Sequence, residues 1–384
     1  MAKYLPVKTL LKFRCVSKSW LNLISSSQFV NAHLKNSTKN NMGFHSRLVF
    51  HLRYSPSPKV FHTFSLHPKI DDYESLSVDK LVLSCRPCYA IEIVGSCNGL
   101  VCVVLDYNSV VLWNPTTRKS KTLPVSDSSL DLSKHGFGYD AANDDYKVVE
   151  FGCNYDTFGY KKSTKRNIYS SRVDSWRTME WPCSDIIDGP SVFVNGVIHW
   201  KVCDEKYQRF WAVIAQNVTT ETCSSVDLPT LASDDADKVS LGVFGGCLSA
   251  SFYCHNYMDV WVLKEYGDRE SWTKLVRFNY PSVENRFVLK RPKLLFVSKD
   301  GGILLKIFGD LIMYRPSQYR VIHHLSNPFV LEAATYSESL ISPDFEKIRG
   351  NSCKEYIYFY LYIRNKQLFG DACLVLSMTT SIRL

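Results

Sequence analysis

Four short turns divide this chain at intervals that few folds accommodate. Asn98-Gly99 separates a short apolar run from LVCVVL, and Asn195-Gly196 separates SVFV from VIHWKV. Gly245-Gly246 separates LGVF from CLSASFYC, and Asp300-Gly301-Gly302 separates LLFVS from ILLKIF. Asn and Gly tolerate the positive φ that a tight hairpin demands, so each turn predicts an antiparallel strand pair. From Gly99 the spacings are 97, 50 and 55 residues, and the first gap holds room for two units. A second strand pair follows each hairpin: VVLWNPTTRKSKTLP (110–124), AVIAQNVTTETCSSVDLP (212–229), MDVWVLKEYGDRESWTKLVRF (258–278) and LIMYRPSQYRVIHHL (311–325). GFGYDAANDDYKVVEFG (136–152) with RNIYSSRVDSWRTMEWP (166–182) fills the wide gap.

Four strands per roughly 50 residues is the arithmetic of a β-propeller blade. Five units are clear. LVFHLRY (48–54) and KVFHTFSL (59–66), joined by residues from the C-terminal region, supply a sixth. A two-sheet sandwich fits the same alternation. The 22 Tyr, 21 Phe and 8 Trp favour strands. Trp113, Trp200, Trp211, Trp261 and Trp272 read as blade core rather than a ligand cage.

The first 34 residues follow a different period. Pro6 suits a first helical turn, where its missing N–H costs nothing. Leu10, Leu11, Val16, Trp20, Leu23 and Ile24 mostly recur at three- or four-residue spacing, with a break near residues 15–17. Phe29, Val30 and Leu34 fit a third short helix. A helical hairpin capping a core and an exposed docking stripe both satisfy this pattern. Residues 35–45 (KNSTKNNMGFH) read as a linker.

Charge is just as uneven. Residues 1–70 hold eleven Lys or Arg and no Asp or Glu; beyond them, 35 basic face 37 acidic residues, a net of −2. The basic excess suits an acidic protein partner met by long-range attraction. No aromatic–basic interleaving or zinc-finger spacing supports nucleic acid. No apolar run approaches the ~20 residues of a membrane span. The thirteen cysteines are odd in number and lie mostly inside apolar runs, and no secretory leader precedes them, which favours a reducing cytosol or nucleus. Cys85-x-x-Cys88, with Cys97 and Cys102 nearby, is the best metal candidate, yet Cys97 and Cys102 fall within the strand pattern. No metal and no cofactor is expected. His323 and His324 are adjacent on a strand-like segment and so face opposite ways. Neither a phosphate-cradling glycine loop nor a Gly-x-Ser-x-Gly elbow is present.

LPVKTLLKFRCVSKSWLNLISSSQFVNAHL (5–34) resembles the latter part of a plant F-box. GSCNGLVCV followed by LWNPTTRKSKTLP resembles the opening of the F-box-associated domain. HGFGYDAANDDYKVV (135–149), VFVNGVIHW (192–200) and YSESLISP (336–343) match its further landmarks, in order. The relatives include S-locus F-box proteins, which act in self-incompatibility, and F-box/kelch-like proteins. The resemblance implies a mainly β fold: a partial F-box at 1–34, a linker at 35–45, a kelch-like β-propeller at 46–343 and an atypical extension at 344–384. It implies a substrate-recognition subunit of an SCF-type ubiquitin ligase, not an enzyme. A Skp-family adaptor would bind Leu5, Pro6, Leu10, Leu11, Phe13, Arg14, Val16, Lys18, Trp20, Leu23 and Ile24, and link them to a cullin and a RING protein. The family F-box has a further Leu-Pro-rich helical stretch before its second Leu-Pro, and only four residues precede Leu5 here. A protein-interaction module without adaptor docking is therefore the alternative. A propeller enzyme would need converging ligands that the sequence does not offer. The extension carries YIYFYLYI (356–363), an uncharged β-prone run.

For the target, the longest polar loop (154–167) offers Lys161, Lys162, Lys165 and Arg166. A rim loop meeting an acidic patch and a plain solvated loop both fit.

Overall fold

A computed structural model describes residues 2–345 apart from 40–45, 54, 56, 58, 67–76, 87, 127–130, 156–160, 181–185, 204–209, 230–238, 254–256, 280–292, 299–301, 308, 316–317 and 322–328. The described chain divides into a helical unit that includes residues 2–36 and a β unit spanning residues 37–343.

In the helical unit a 3-10 turn at Ala2–Tyr4 leads to α1 (Val7–Phe13), α2 (Lys18–Ser25) and α3 (Ser27–Lys39). Pro6 stands at the N-cap of α1. Ser17 caps α2, its Oγ accepting from Trp20 N at 3.2 Å. Ser26 serves two helices: its Oγ donates to Leu23 O at the end of α2 (2.7 Å) and accepts from Phe29 N at the start of α3 (3.3 Å). Helix α3 enters the segment expected to be linker. No Gly or Pro occurs between residues 34 and 42, so nothing in the sequence stops the helix before Lys39.

Blade 1 of the β unit holds β1 (Ser46–Leu52), β2 (Val60–Ser65) and β3 (Asp79–Val82). Blade 2 is β4 (Ile91–Cys97), β5 (Leu100–Leu105), β6 (Ser109–Asn114) and β7 (Lys119–Thr122). Blade 3 is β8 (Asp131–Asp140), β9 (Asp145–Tyr155), β10 (Lys161–Ser170) and β11 (Ser175–Glu180). Blade 4 is β12 (Ile186–Val194), β13 (Val197–Cys203), β14 (Phe210–Asn217) and β15 (Cys223–Val226). Blade 5 is β16 (Val239–Phe244), β17 (Cys247–Tyr253), β18 (Tyr257–Leu263) and β19 (Trp272–Asn279). Blade 6 is β20 (Lys293–Val297), β21 (Ile303–Ile307), β22 (Asp310–Arg315) and β23 (Gln318–Val321). The last strand, β24 (Val330–Ser337), returns to complete blade 1 in the order β24-β1-β2-β3. The first strand of each sheet touches the first strand of the next, from β24 through β4, β8, β12, β16 and β20 back to β24. The molecule is thus mainly β, a six-bladed propeller preceded by short helices, and the sandwich alternative falls away.

Each blade lies between two others, so both faces of its inner strands must be apolar. In β1, Leu48 and Phe50 pack with Leu304 and Met313 of blade 6, while Val49 between them packs with Val101, Val103 and Trp113 of blade 2. This accounts for continuous apolar runs where a one-sided sheet would alternate. Trp113, Trp200 and Trp272 are buried and Trp261 is partly so. The Trp211 side chain, Asp300-Gly301, His323, His324 and residues 346–384 lie outside the described residues.

The hairpin turns have the expected chemistry. Asn98/Gly99 (φ 52°, 82°), Asn195/Gly196 (50°, 80°) and Gly245/Gly246 (57°, 80°) are left-handed at both central positions. A second turn recurs between the third and fourth strands. Asn114 Oδ1 accepts from Thr116 N (2.9 Å) and Thr117 N (3.2 Å), and Asn217 Oδ1 accepts from Thr219 N (2.8 Å) and Thr220 N (3.0 Å). The repeated Asn-x-Thr-Thr is therefore one folded device used in two blades.

Closure of the ring is pinned by side chains. β24 pairs antiparallel with β1 from Ser46↔Ser337 to Leu52↔Val330. Buried Arg47 donates to Thr63 Oγ1 (3.2 Å), Ser65 Oγ (3.0 Å), Asp79 Oδ2 (2.8 Å) and Glu338 Oε1 (3.4 Å), binding β1, β2, β3 and the residue after β24. From blade 2, the fully buried Asn114 shares its Nδ2 protons among Ile341 O (2.7 Å), Ser339 O (3.1 Å) and Ser339 Oγ (3.3 Å). Gly99 packs against the same segment; a Cβ there would lie 2.6 Å from the Ser337 carbonyl oxygen.

Asn114→Ala removes both the turn and the clamp and leaves buried carbonyls unpaired, at a cost of about 3 kcal/mol. Asn217→Ala removes a turn on a more exposed loop and costs about 1 kcal/mol. Urea unfolding of the two variants measures the difference; equal losses would mean that Asn114 does not hold the closing segment.

Candidate docking surfaces

The helical unit sorts the expected adaptor residues into three sets. Leu10 and Ile24 are buried, together with Val7, Phe29 and Val30. His33 Nε2 lies 3.0 Å from Leu5 O, tying α3 to the start of the unit. Leu5, Leu11, Phe13, Arg14, Trp20 and Leu23 are half-buried, and the Phe13 and Trp20 rings meet at 5.2 Å. Pro6, Val16 and Lys18 are exposed, Val16 to 67%. Tyr4 (62%) and Leu21 (39%) join this exposed set, though helical spacing did not single them out. Exposed apolar side chains on so small a unit are what a docking surface requires. Residues 2–36 also carry Lys3, Lys8, Lys12, Arg14 and Lys18 with no acid.

The propeller has two unlike ends. One end carries the first hairpin of each blade and the turns between third and fourth strands. The other, here the crossover end, carries the connections between second and third strands and between blades. Segment 154–167 is not one loop. Its residues from 161 onward form β10, paired with β9 through Arg166↔Phe151 and with β11 through Arg166↔Met179. Lys161 and Lys162 begin β10 at the crossover end; their side chains lie outside the described residues. Lys165 is half-buried. Arg166 is a correction: it is 5% exposed and its guanidinium reaches into blade 4, donating to Glu221 O (3.2 Å) and Cys223 Sγ (3.1 Å). The polar run hid a strand because the neighbouring blade supplies acceptors for the Arg166 cation. Lys147 does the same, donating to Val218 O (2.7 Å) and Glu221 Oε1 (2.9 Å).

The buried ionisable groups are set up for packing rather than proton transfer. His199 lies between Val192 O (3.2 Å) and the Tyr266 hydroxyl (3.0 Å), and burial pushes its pKa down to about 4. His135 lies 3.7 Å from Glu150, and burial lowers its pKa too. Glu150 in turn accepts from Asn167 Nδ2 at 2.8 Å. Cys97 and Cys102 are buried in blade 2 and burial pushes both thiols up. Cys85 is pushed up to about 11 by burial and by its neighbour Cys88. Among the described residues no three metal-ligating side chains converge. No helix among them is long and apolar enough to cross a membrane.

The chain thus has two parts, a small helical unit with exposed apolar side chains and a closed six-bladed propeller. Residues 2–31 match the F-box domain and residues 58–343 match the F-box associated beta propeller domain, so the chain belongs to the family of F-box proteins that carry this propeller. Proteins of that family are non-catalytic adaptors. The chain is 30% identical over 360 residues to an F-box/kelch-repeat protein of Arabidopsis thaliana, covering 88% of this chain and 93% of the relative. It is 29% identical over 348 residues to the F-box protein CPR1 of the same plant, covering 81% and 78%.

Arg166→Ala should lower stability by about 2 kcal/mol through loss of a buried, hydrogen-bonded cation, whereas Lys165→Ala should stay within about 0.5 kcal/mol; thermal unfolding compares them. His199 has its folded pKa depressed from 6.5 to about 4. The unfolded state therefore binds a proton that the native state refuses, and stability is lost as pH falls from 6.5 towards 4, by up to about 3 kcal/mol. His199→Gln should flatten the slope of unfolding free energy against pH in that window; an unchanged slope would exclude His199 as its source.

Proposed function

We propose that the chain is the target-recognition subunit of an SCF-type ubiquitin ligase. Its helical unit docks on a Skp-family adaptor, which joins it to a cullin and a RING protein, and its propeller holds the protein to be ubiquitinated. The observation that carries this reading is the exposed set Tyr4, Pro6, Val16, Lys18 and Leu21 within the acid-free residues 2–31 that match the F-box. Exposed apolar side chains and an excess of cations on one small unit fit an acidic partner with an apolar groove. The chain acts by proximity: it raises the target's effective concentration beside the ubiquitin-conjugating enzyme and performs no bond chemistry itself. Target contact belongs to the crossover end, where connections vary in length and where Lys161, Lys162 and Lys165 stand on blade 3. The free cysteines among the described residues are compatible with work in the cytosol or nucleus.

Co-expression with a Skp-family adaptor tests the docking. The full chain should capture the adaptor, and Val16→Asp with Leu21→Asp should weaken capture at least about tenfold without shifting the unfolding midpoint, since both side chains are exposed. Absence of capture, or equal capture by the double variant, refutes the reading.

A further inference from the structure

The crossover end carries an aromatic pair where blade 1 hands over to blade 2. Tyr89 precedes β4 and is 79% exposed; Tyr107 lies in the turn between β5 and β6 and is 70% exposed. Their ring centroids are 6.4 Å apart at an interplanar angle of 59°. Two large aromatics held side by side in water contribute little to the fold and much to an interface.

Their backbones are fixed by one carboxylate. Asp106 Oδ1 accepts from Tyr89 N (2.9 Å) and Ala90 N (3.1 Å), and Oδ2 meets Arg86 Nη1 at 3.2 Å. The Tyr89 amide first, with the Ala90 amide and Arg86, draws the Asp106 carboxyl below its usual range. Asp106 N also donates to Ala90 O at 3.0 Å. The tyrosine-bearing loop and the tyrosine-bearing turn are thus locked to each other before any partner arrives, which lowers the ordering cost of binding.

The turn is conformationally costly. Asp106 and Tyr107 are both left-handed, with φ 50° and 67°. Among the described residues the other double left-handed turns are Asn-Gly or Gly-Gly: Asn98/Gly99, Asn195/Gly196 and Gly245/Gly246. A tyrosine accepts that strain here and projects its ring into solvent. Strain kept at an exposed aromatic points to use outside the fold.

The patch is locally cationic. Lys59 donates to Cys85 O and, with Arg86 and Asp106, acts electrostatically on Cys88 in the same loop. Arg86 is 52% exposed at its side chain, whereas Asp106 is 8% exposed and already bonded. Two cations, Lys59 and Arg86, thus stand beside one buried carboxylate, a small local excess suited to a short acidic segment rather than to a long polyanion.

We propose that Tyr89, Tyr107 and Arg86 are the anchoring centre of the target-binding face, and that they hold an acidic segment of a protein, one of whose apolar side chains packs on the paired rings. This rests on the reading that the propeller holds a protein target. The test is selection of a random 12-residue peptide library on the full chain, followed by titration of the selected peptides. Selected peptides should be rich in Asp and Glu. Tyr107→Gly should weaken their binding at least about tenfold while keeping or raising the unfolding midpoint, because glycine relieves the turn. Arg86→Ala should reduce the salt dependence of binding, and Val173→Ala, at an exposed turn of the opposite end, should change nothing. Peptides that lack an acidic excess, peptides that bind Tyr107→Gly as tightly as the parent, failure to select any peptide, or binding of neutral glycans in their place would overturn the proposal. Adaptor capture by Tyr107→Gly, measured alongside, separates the two questions: its loss in the parent chain too would refute the ligase reading and leave the peptide result standing.

Discussion

Everything in the propeller depends on β24 finding β1. A ring of blades has no stable open form in which five interfaces are good and the sixth is exposed, because each blade is apolar on both faces. Blade 1 is assembled from the two ends of the β unit, and the residues it must bring together are as far apart as Arg47 and Glu338, a separation of 291 residues. Backbone pairing alone specifies such a closure weakly, since a slip of one residue turns every side chain to the wrong face. Arg47 removes that freedom by binding all three remaining strands' worth of acceptors at once, and Asn114 reads the same segment from the next blade. Both are buried polar groups with their partners in place, the condition under which such groups specify one arrangement.

The turn chemistry extends this logic around the ring. Asn114 and Asn217 occupy the same place in blades 2 and 4 and fold the same Asn-x-Thr-Thr turn. Only Asn114 has a second task, and that task exists only where the chain closes. Asp140 shows a variant of the device at the β8–β9 turn, accepting from Ala142 N and Asn143 N while its Oδ1 also accepts from Thr219 Oγ1 of blade 4 at 2.7 Å. Local turns of one blade are thereby wired to the next.

Much of this was legible in the residues. Positive φ at two successive positions has few solutions, so Asn-Gly and Gly-Gly announced the hairpins, and the fifty-residue spacing announced blades. The internal set of the helical unit was partly legible from Leu10 and Ile24. What escaped was whatever depended on a neighbour far along the chain. Arg166 looked like loop because KKSTKRN is polar, and only the turn of blade 4 explains how its cation is buried in a strand. Tyr4 and Leu21 fell off the helical stripe and showed themselves only as exposed area. Tyr89 and Tyr107 were invisible because an exposed tyrosine and a strand-core tyrosine have the same letter.

The two ends of the propeller follow from a division of labour between constraint and freedom. Among the described residues, the left-handed positions of the hairpin end are mostly Asn, Asp and Gly, types that hydrogen-bond locally or lose little there, with Arg118 and Glu221 beside them. Tyr107 is the aromatic exception among the described left-handed residues, and it lies at the crossover end. Closure needs every blade to present the same interface, so the hairpin end and the blade faces tolerate little variety. The connections that lie across the crossover end carry none of that burden, and an aromatic can stand there in a strained turn without weakening the ring. A rigid closed ring therefore leaves its crossover end free to differ, because the interactions that fix the fold are made elsewhere.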